Sequence, residues 1–321
     1  MSELLKTLKV AAKAKEADDI ASFELVDPAG EPLPRFTAGA HIDVEIAPGL
    51  VRQYSLSNDP REQHRYLIGV LREPASRGGS ATLVDTVERG AFVRTSEPRN
   101  HFALEPLATR VVLMAGGIGI TPILCMAEHL ATTSTPFELH YCTRSRARAA
   151  FLDRIRRSPF SNWTRFYFDD APRSLSLDLN ETLKQPGPED HLYVCGPNGF
   201  IEAVLSEAVR ARWRHEQLHK EFFTPTANSP RADDAFEVEI ASTGTRFTVP
   251  ANRSVLDVLL ANGIEIPMSC EQGVCGTCVT RVLTGVPDHR DVFMTDDEHA
   301  QNDQFTPCCS RAKSDLLVLD L

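Results

Sequence analysis

The sequence has no apolar run long enough to cross a bilayer, and its N-terminal stretch, Met1 to Leu8, carries neither an apolar core nor a cleavage site. These absences argue against a membrane helix and a secretory leader, and the expected location is cytoplasmic. Basic charge is also short: 34 Lys and Arg stand against 44 Asp and Glu, a net charge of −10. A nucleic-acid partner, whose phosphates demand a basic face, is therefore not expected. There is no internal repeat and no low-complexity tract. The 8 cysteines do not read as a disulfide framework, because the chain is far longer than a cysteine-stapled mini-domain. No pair of His with a carboxylate stands at a helical spacing suited to a non-haem iron triad, and no cysteine has a haem-binding context. The chain is thus expected to lack its own site for activating oxygen.

What it does have is a concentration of thiols. Cys270, Cys275 and Cys278 follow the spacing Cys-x4-Cys-x2-Cys, and a further thiol stands far downstream at Cys308 or Cys309. Two bridged irons need four thiolates from a tight loop plus one distant strand or turn, and this is the plant-type [2Fe–2S] spacing. Gly273 and Gly276 suit such a loop, since backbone N–H groups must approach sulfur and side chains would obstruct them. A structural zinc site would show two short Cys/His pairs on two knuckles, and only one half of that pattern is present. Cys125 and Cys142 lie in apolar runs and read as small core residues. From Phe236 to Leu321 thirteen acidic side chains face six basic ones, a net charge of −7. That segment is either a docking surface for a basic partner or a solvated acidic face.

A length of 321 residues implies two or three domains. The first hundred residues alternate apolar and polar positions, with strands expected at 22–26, 42–46, 52–56 and 66–70 and turns at Asp27-Pro28, Pro48-Gly49 and Asp59-Pro60. Short strands so spaced imply an antiparallel barrel or sandwich. Within Arg52-Gln53-Tyr54-Ser55, Arg52 and Tyr54 share a strand face and offer a cation and a flat ring to one ligand. Arg77-Gly78-Gly79-Ser80, ahead of a helix expected from Ala81, offers a cation, small residues, a hydroxyl and helix-start amides to a phosphate.

After Asn100 the pattern becomes strand, turn, helix: a buried strand at 110–115, a glycine turn from Gly116 to Pro122, and a helix over 123–130. The turn lets a cofactor approach the backbone but departs from the Gly-x-Gly-x-x-Gly fingerprint. Strands at 137–142, 164–168 and 191–195 alternate with helices near 149–157 and 199–212, which implies a parallel sheet. Ligands of such sheets lie at the carboxyl ends of the strands, where Thr143-Arg144, Asp169-Asp170 and Cys195-Gly196-Pro197 stand. Residues 222–235 read as a linker. Beyond it come strands at 236–240 and 245–249, a helix near 255–262, the cysteine loop and a closing strand at 316–320.

In combination, Arg52 to Leu56, Arg77 to Ser80, Ala115 to Pro122, Cys195 to Pro197, the cysteine loop and Ser310 to Ser314 give a chain that resembles the phthalate dioxygenase reductase family, which includes reductase components of vanillate demethylase. The resemblance implies three domains: an FMN-binding β-barrel at 1–105, an NAD(P)H-binding α/β domain with a parallel sheet at 106–225, and, after a linker at 226–235, a plant-type ferredoxin domain of β-grasp fold at 236–321. It implies that Arg52, Gln53, Tyr54, Ser55, Arg77, Gly78, Gly79 and Ser80 hold FMN. Gly117, Thr121, Thr143, Arg144, Cys195, Gly196 and Pro197 would line the nicotinamide site, with Phe223 the aromatic near the flavin ring. It also selects Cys308 over Cys309 as fourth ligand beside Cys270, Cys275 and Cys278. NADH is the implied donor. Ser145-Arg146-Ala147-Arg148 departs from relatives that carry an acidic residue there and leaves NADPH open, while Asp169 and Asp170 pull toward NADH.

A nicotinamide releases two electrons together, a [2Fe–2S] cluster accepts one at a time, and a flavin can do both, so the flavin is expected between them. No general acid or base is assigned; Cys195 and Glu221 are expected to shape the nicotinamide pocket. The implied activity is an NADH-dependent reductase that passes single electrons, by transient docking, to a separate terminal Rieske non-haem iron oxygenase acting on an aromatic compound. The alternatives are a stand-alone NAD(P)H flavin reductase and an iron–sulfur redox sensor.

Overall fold

The computed structural model describes residues 6–47, 50–73, 79–172, 176–223, 234–268, 270–271 and 273–321. Arg77 and Gly78, the Pro48-Gly49 turn and most of the expected linker lie outside these residues. The chain divides into two compact units, one running to Glu221 and the other beginning at Phe222.

The first unit contains two sheets. β1 (Lys6–Ala17), β2 (Ile20–Val26), β3 (His41–Ala47), β4 (Leu50–Ser55), β5 (Tyr66–Leu71) and β6 (Phe92–Thr95) pair antiparallel in the order β4-β3-β6-β1-β2-β5, with α1 (Gly79–Thr86) between β5 and β6. The two end strands meet through an antiparallel bridge between Leu56 and Ile68, and Ser57 N–H donates to Leu67 O at 2.8 Å. The sheet therefore closes into a barrel, around Leu8, Val10, Phe23, Leu25, Ile42, Val44 and Ile68. β1 has no counterpart among the strands expected from the sequence.

The second sheet is built from β7 (Arg110–Gly116), β8 (Phe137–Thr143), β9 (Thr164–Phe168), β10 (Asp190–Gly196) and β11 (Leu218–Phe222) in the order β11-β10-β7-β8-β9. β10, β7, β8 and β9 run parallel. The helices α2 (Ile120–Leu130), α3 (Leu152–Arg157), α4 (Leu179–Leu183) and α5 (Asn198–Arg210) alternate with these strands. β8 and β9 extend the sheet on one side of β7 and β10 on the other, so the strand order reverses between β7 and β10. In open α/β sheets a crevice forms at such a switch point, outside the carboxyl ends of the strands.

The second unit has its own core of Val238, Val249, Val255, Leu256, Leu259, Phe305, Leu317 and Leu319. β12 (Phe236–Ile240) pairs antiparallel with β13 (Thr245–Val249) and parallel with the last strand, and α6 (Val255–Ala261) follows the hairpin. β14 (Thr280–Thr284), β15 (Pro287–Asp288), α7 (Asp296–Gln301), β16 (Gln304–Phe305), β17 (Arg311–Ala312) and β18 (Leu316–Leu319) complete the β-grasp arrangement. α6 starts where expected because Ser254 Oγ accepts from Asp257 N–H at 3.0 Å while the Asp257 carboxylate accepts from Ser254 N–H at 3.1 Å. Arg311 donates to Arg253 O at 2.8 Å and Pro250 O at 3.2 Å, and lies 5.1 Å from the Phe236 ring centre. Its place in the Ser310–Ser314 motif is therefore to tie the C-terminal segment to the first strand and the turn before α6. Among the described residues no helix is long and apolar enough to cross a membrane.

Candidate functional site

Strand alternation sends the side chains of β4 to opposite faces. Gln53 Nε2 lies 3.0 Å from Asp43 Oδ1 and 3.2 Å from His41 Nε2, so its side chain is committed to a network that includes Arg99 and Asp43. Arg52 and Tyr54 point the other way. Arg52 lies across the start of α1: a Cβ on Gly79 would stand 2.9 Å from Arg52 Cγ and Nε. Among the described residues Arg52 has no carboxylate partner, its Nη1 donating only to Val51 O at 2.7 Å. Tyr54 Oη is buried without a hydrogen-bond partner, and burial pushes its phenol well above the usual range. A buried hydroxyl seldom goes unpaired. An unpaired cation at a helix start and an orphan phenol beside it fit a phosphate joined to a flat ring system. Ser80 Oγ accepts from Glu73 N–H at 3.1 Å, placing this hydroxyl at the entry to the helix.

The nicotinamide candidates converge at the switch point. Gly116, Gly119 and Gly196 permit backbone to lie on backbone: a Cβ on Gly119 would stand 2.2 Å from Cys195 O, and one on Gly196 2.9 Å from Gly116 Cα. Gly117 differs, with φ +54° and open space where its Cβ would be, so its backbone is free to face a cofactor. α2 begins at Ile120, earlier than the sequence pattern indicates, with Pro122 in its first turn and Thr121 Oγ1 donating to Ile118 O at 3.1 Å. Thr143 Oγ1 donates to Ser145 O at 2.9 Å, shaping the loop after β8. In that loop Arg148 pairs with Asp19 at 3.1 Å, whereas Arg144 and Arg146 are exposed. NADH is expected to give the higher kcat/KM, measured against NADPH with the same acceptor. A preference for NADPH that Arg146→Asp reverses would mean that these arginines read a 2′-phosphate.

Ser55, Cys195 and Glu221 come together from β4, β10 and β11. Ser55 Oγ donates to Glu221 Oε2 at 3.4 Å, and burial pushes the Glu221 carboxyl up to about 8. The Cys195 thiol, wholly buried, is raised by burial and then by the Glu221 charge. Glu221 is therefore neutral at neutral pH and able to hold a proton beside the switch point. Its contribution to stability is fully present below the ordinary value of 4.5 and is lost as pH rises through about 8. NADH oxidation is expected to fall over the same upper window, and Glu221→Gln, which stays neutral, to flatten that limb of the pH–rate profile. An unchanged alkaline limb in the variant would remove Glu221 from this role. Phe223, the expected flavin-ring aromatic, follows β11 and is half-buried.

In the second unit Cys270, Cys275 and Cys278 are buried and Cys308 is half-buried. Cys270 lies against Cys275, and Cys308 against both Cys278 and Cys309. Cys275 is drawn down to about 5 by its bond with Cys270, and Cys308 is pushed up first by its bond with Cys278 and then by Cys309. Val274 N–H donates to Cys270 Sγ and Thr277 N–H to Cys275 Sγ, both at 3.5 Å. Gly273 and Gly276 have φ +71° and +69°, and a Cβ on Gly276 would enter the Phe293 ring at 2.2 Å. Four thiols so gathered, with the Val274 and Thr277 amides turned onto sulfur, fit the ligand set of a two-iron cluster. Cys309 Sγ, hydrogen-bonded to Cys308, also lies 3.3 Å from Thr306 Oγ1, and a Cβ on Gly273 would meet it at 2.4 Å. Ser269 and Gln272 of this loop lie outside the described residues.

The fold also gathers His289, Asp291 and His299, with ligand-type atoms within 4.8 Å of one another, a meeting that the sequence spacing does not announce. Their arrangement is not that of three ligands on one ion. The His289 and His299 rings are stacked with centres 4.4 Å apart and planes 20° from parallel. A metal lies in the plane of each imidazole it binds, and planes so nearly parallel do not intersect within bonding distance of both. Asp291 is taken up by hydrogen bonds within the fold.

Residues 238–313 match the family model of the 2Fe-2S iron-sulfur cluster binding domain. The chain is 54% identical over 313 residues to the vanillate O-demethylase oxidoreductase of Pseudomonas putida, covering 97% of this chain and 98% of that one. It is 41% identical over 315 residues to the phthalate dioxygenase reductase of Burkholderia cepacia, covering 98% and 97%. A solved structure of phthalate dioxygenase reductase, described as modular for electron transfer from pyridine nucleotides to [2Fe-2S], superposes with a TM-score of 0.79 at 40% identity and covers 99% of this chain and 98% of that one.

Proposed function

This chain belongs to the phthalate dioxygenase reductase family, and on that premise we propose that it is an NADH-dependent reductase that delivers electrons singly to a separate Rieske non-haem iron oxygenase acting on an aromatic compound. The observation that carries the reading is the gathering of Cys270, Cys275, Cys278 and Cys308, with amides turned onto sulfur, in a chain that also has a nicotinamide-type switch point. When bound, FMN and the [2Fe–2S] cluster convert one two-electron donation into two one-electron deliveries. A stand-alone flavin reductase would have no use for the thiol loop, and a redox sensor none for the switch point.

The chain's own residues bind, orient and insulate. Arg52 and the amides at the start of α1 hold the FMN phosphate, with Arg77, Gly78 and Ser80 completing that site, and Tyr54 lies along the flavin. Gly117, Thr121 and the Cys195-Gly196-Pro197 turn seat the nicotinamide, while Thr143 and Arg144 border its nucleotide end. Burial keeps a proton at the Glu221 carboxyl against the opposing hydrogen bond from Ser55, and the Cys195 side chain fills space that water would otherwise take. Phe223 is the residue that the family resemblance would set near the flavin ring. Cys270, Cys275, Cys278 and Cys308 hold the cluster. The three-domain division at 105, 225 and 235 follows this assignment, with the first two domains, as far as Glu221, joined in one compact unit.

The partner is an oxygenase component that docks briefly. The acidic surplus of residues 236–321 favours a basic patch on it, and salt should slow their association. Reconstitution tests the division of labour: reductase and NADH should oxidise the aromatic substrate only when the oxygenase is added, at a coupled rate that falls from low to high salt. Substrate oxidation by this chain alone would refute the proposal, whereas a salt-independent rate would refute only the electrostatic part.

A further inference from the structure

We infer that Asp291 is a positioning residue of the iron–sulfur site, joining the segment that carries Cys308 to the loop that carries the other three cysteines and lowering the reduction potential through its buried carboxylate. The inference rests on the cluster reading above.

The Asp291 side chain is completely buried. A carboxylate removed from water is costly unless donors replace the water, and here three elements supply them. Met294 N–H donates to Oδ2 at 2.8 Å, Thr306 Oγ1 to Oδ1 at 3.3 Å, and His299 Nε2 approaches both oxygens at 3.2 and 3.3 Å. Thr306 Oγ1 also lies 2.8 Å from Ser310 Oγ, which accepts from Arg290 N–H at 3.1 Å. Cys308 stands between Thr306 and Ser310, so the carboxylate anchors both sides of the fourth thiol. Thr306 and Ser310 are themselves fully buried, so no water competes for these bonds.

The backbone at Asp291 and the residue after it touches the other half of the site. Val292 N–H donates to Gly273 O at 3.0 Å, and a Cβ on Gly273 would meet Asp291 Cα at 3.0 Å. Gly273 lies between Cys270 and Cys275. Asp291 and the peptide that follows it therefore fasten two stretches of chain that are far apart in sequence yet must present four thiols at one place. Asparagine would keep the shape but turn an N–H₂ toward donors, so the network calls for the carboxylate. A carboxylate held against this loop would oppose the arrival of an electron at a cluster bound there, and net charge is among the properties that set such potentials.

The test uses the full chain carrying its cofactors. Asp291→Asn should bind FMN as the wild type does and show a more positive midpoint potential in a spectroelectrochemical titration, with faster iron loss to a chelator. Thr306→Val keeps the charge and cuts the join, so it should lose iron faster at an unchanged potential. If Asp291→Asn holds no iron while its FMN content and barrel folding are normal, the joining role stands on that result together with Thr306→Val. An unshifted potential in iron-replete Asp291→Asn, or wild-type iron loss in both variants, would overturn the inference. Wild-type protein lacking iron and sulfide would instead overturn the cluster reading on which it rests.

Discussion

Cys275→Ser is expected to abolish the visible absorption of the iron–sulfur centre and the one-electron reduction of cytochrome c, while NADH-driven reduction of ferricyanide continues. Serine removes a soft thiolate ligand, and a two-iron cluster with three good ligands is poorly held. The loss should stay local. Residues 222–321 form their own compact unit around their own core, whereas Arg52, Tyr54, Gly117 and Cys195 belong to the other unit. Cys308→Ser should behave like Cys275→Ser, because its thiol bonds to that of Cys278. Cys309→Ser should keep the cluster, since Cys309 Sγ lies over Gly273 and against Thr306. Iron content, the visible spectrum and the two acceptor assays decide the matter together. A full iron complement in Cys275→Ser would sink the ligand assignment.

Arg52→Ala should weaken FMN binding by roughly tenfold to a hundredfold, because a charge-assisted hydrogen bond contributes about 1.5–3 kcal/mol and about 1.4 kcal/mol corresponds to tenfold in affinity. The side chain lies across Gly79 at the start of α1, with no acidic partner among the described residues. The mutation therefore removes a cation held ready for an anion and leaves no stranded carboxylate behind. Lysine at the position should restore only part of the affinity, since it keeps the charge but loses the planar fork. Fluorescence titration of the flavin-free protein gives the dissociation constants directly. Wild-type affinity in Arg52→Ala, or FAD extracted from the native protein, would contradict the assignment.

The glycines show how local spacing and distant packing divide the explanation. Gly117 is legible as a turn residue that bares its backbone, and the structure places it at φ +54° with open space in front. Gly119 and Gly196 stand in the same motifs, but their reason lies elsewhere. A Cβ on either would strike the backbone of a strand or turn about eighty residues away in sequence. Gln53 gives the converse lesson. It belongs to a motif that reads as cofactor-binding, yet its side chain turns into the barrel network of His41 and Asp43.

By itself the sequence determined the cysteine loop, the alternating strands β2 to β5, the glycine turn before α2 and the parallel-strand rhythm from β7 to β10. In each, the chemistry or the periodicity lies within about ten consecutive residues, so no distant partner is needed to recognise it. Only the tertiary structure decided that Lys6–Ala17 is a strand, because its alanines and lysines favour helix in isolation and pairing with β2 and β6 overrides that preference. It alone set Cys308 against Cys278 and Cys309, brought Ser55 to Glu221 across 166 residues, and set Asp291 between two arms of the thiol site. These meetings depend on non-local strand register and burial, which short-range propensity does not encode. They are also where a carboxyl loses its water, and so where its proton affinity and its charge acquire a function.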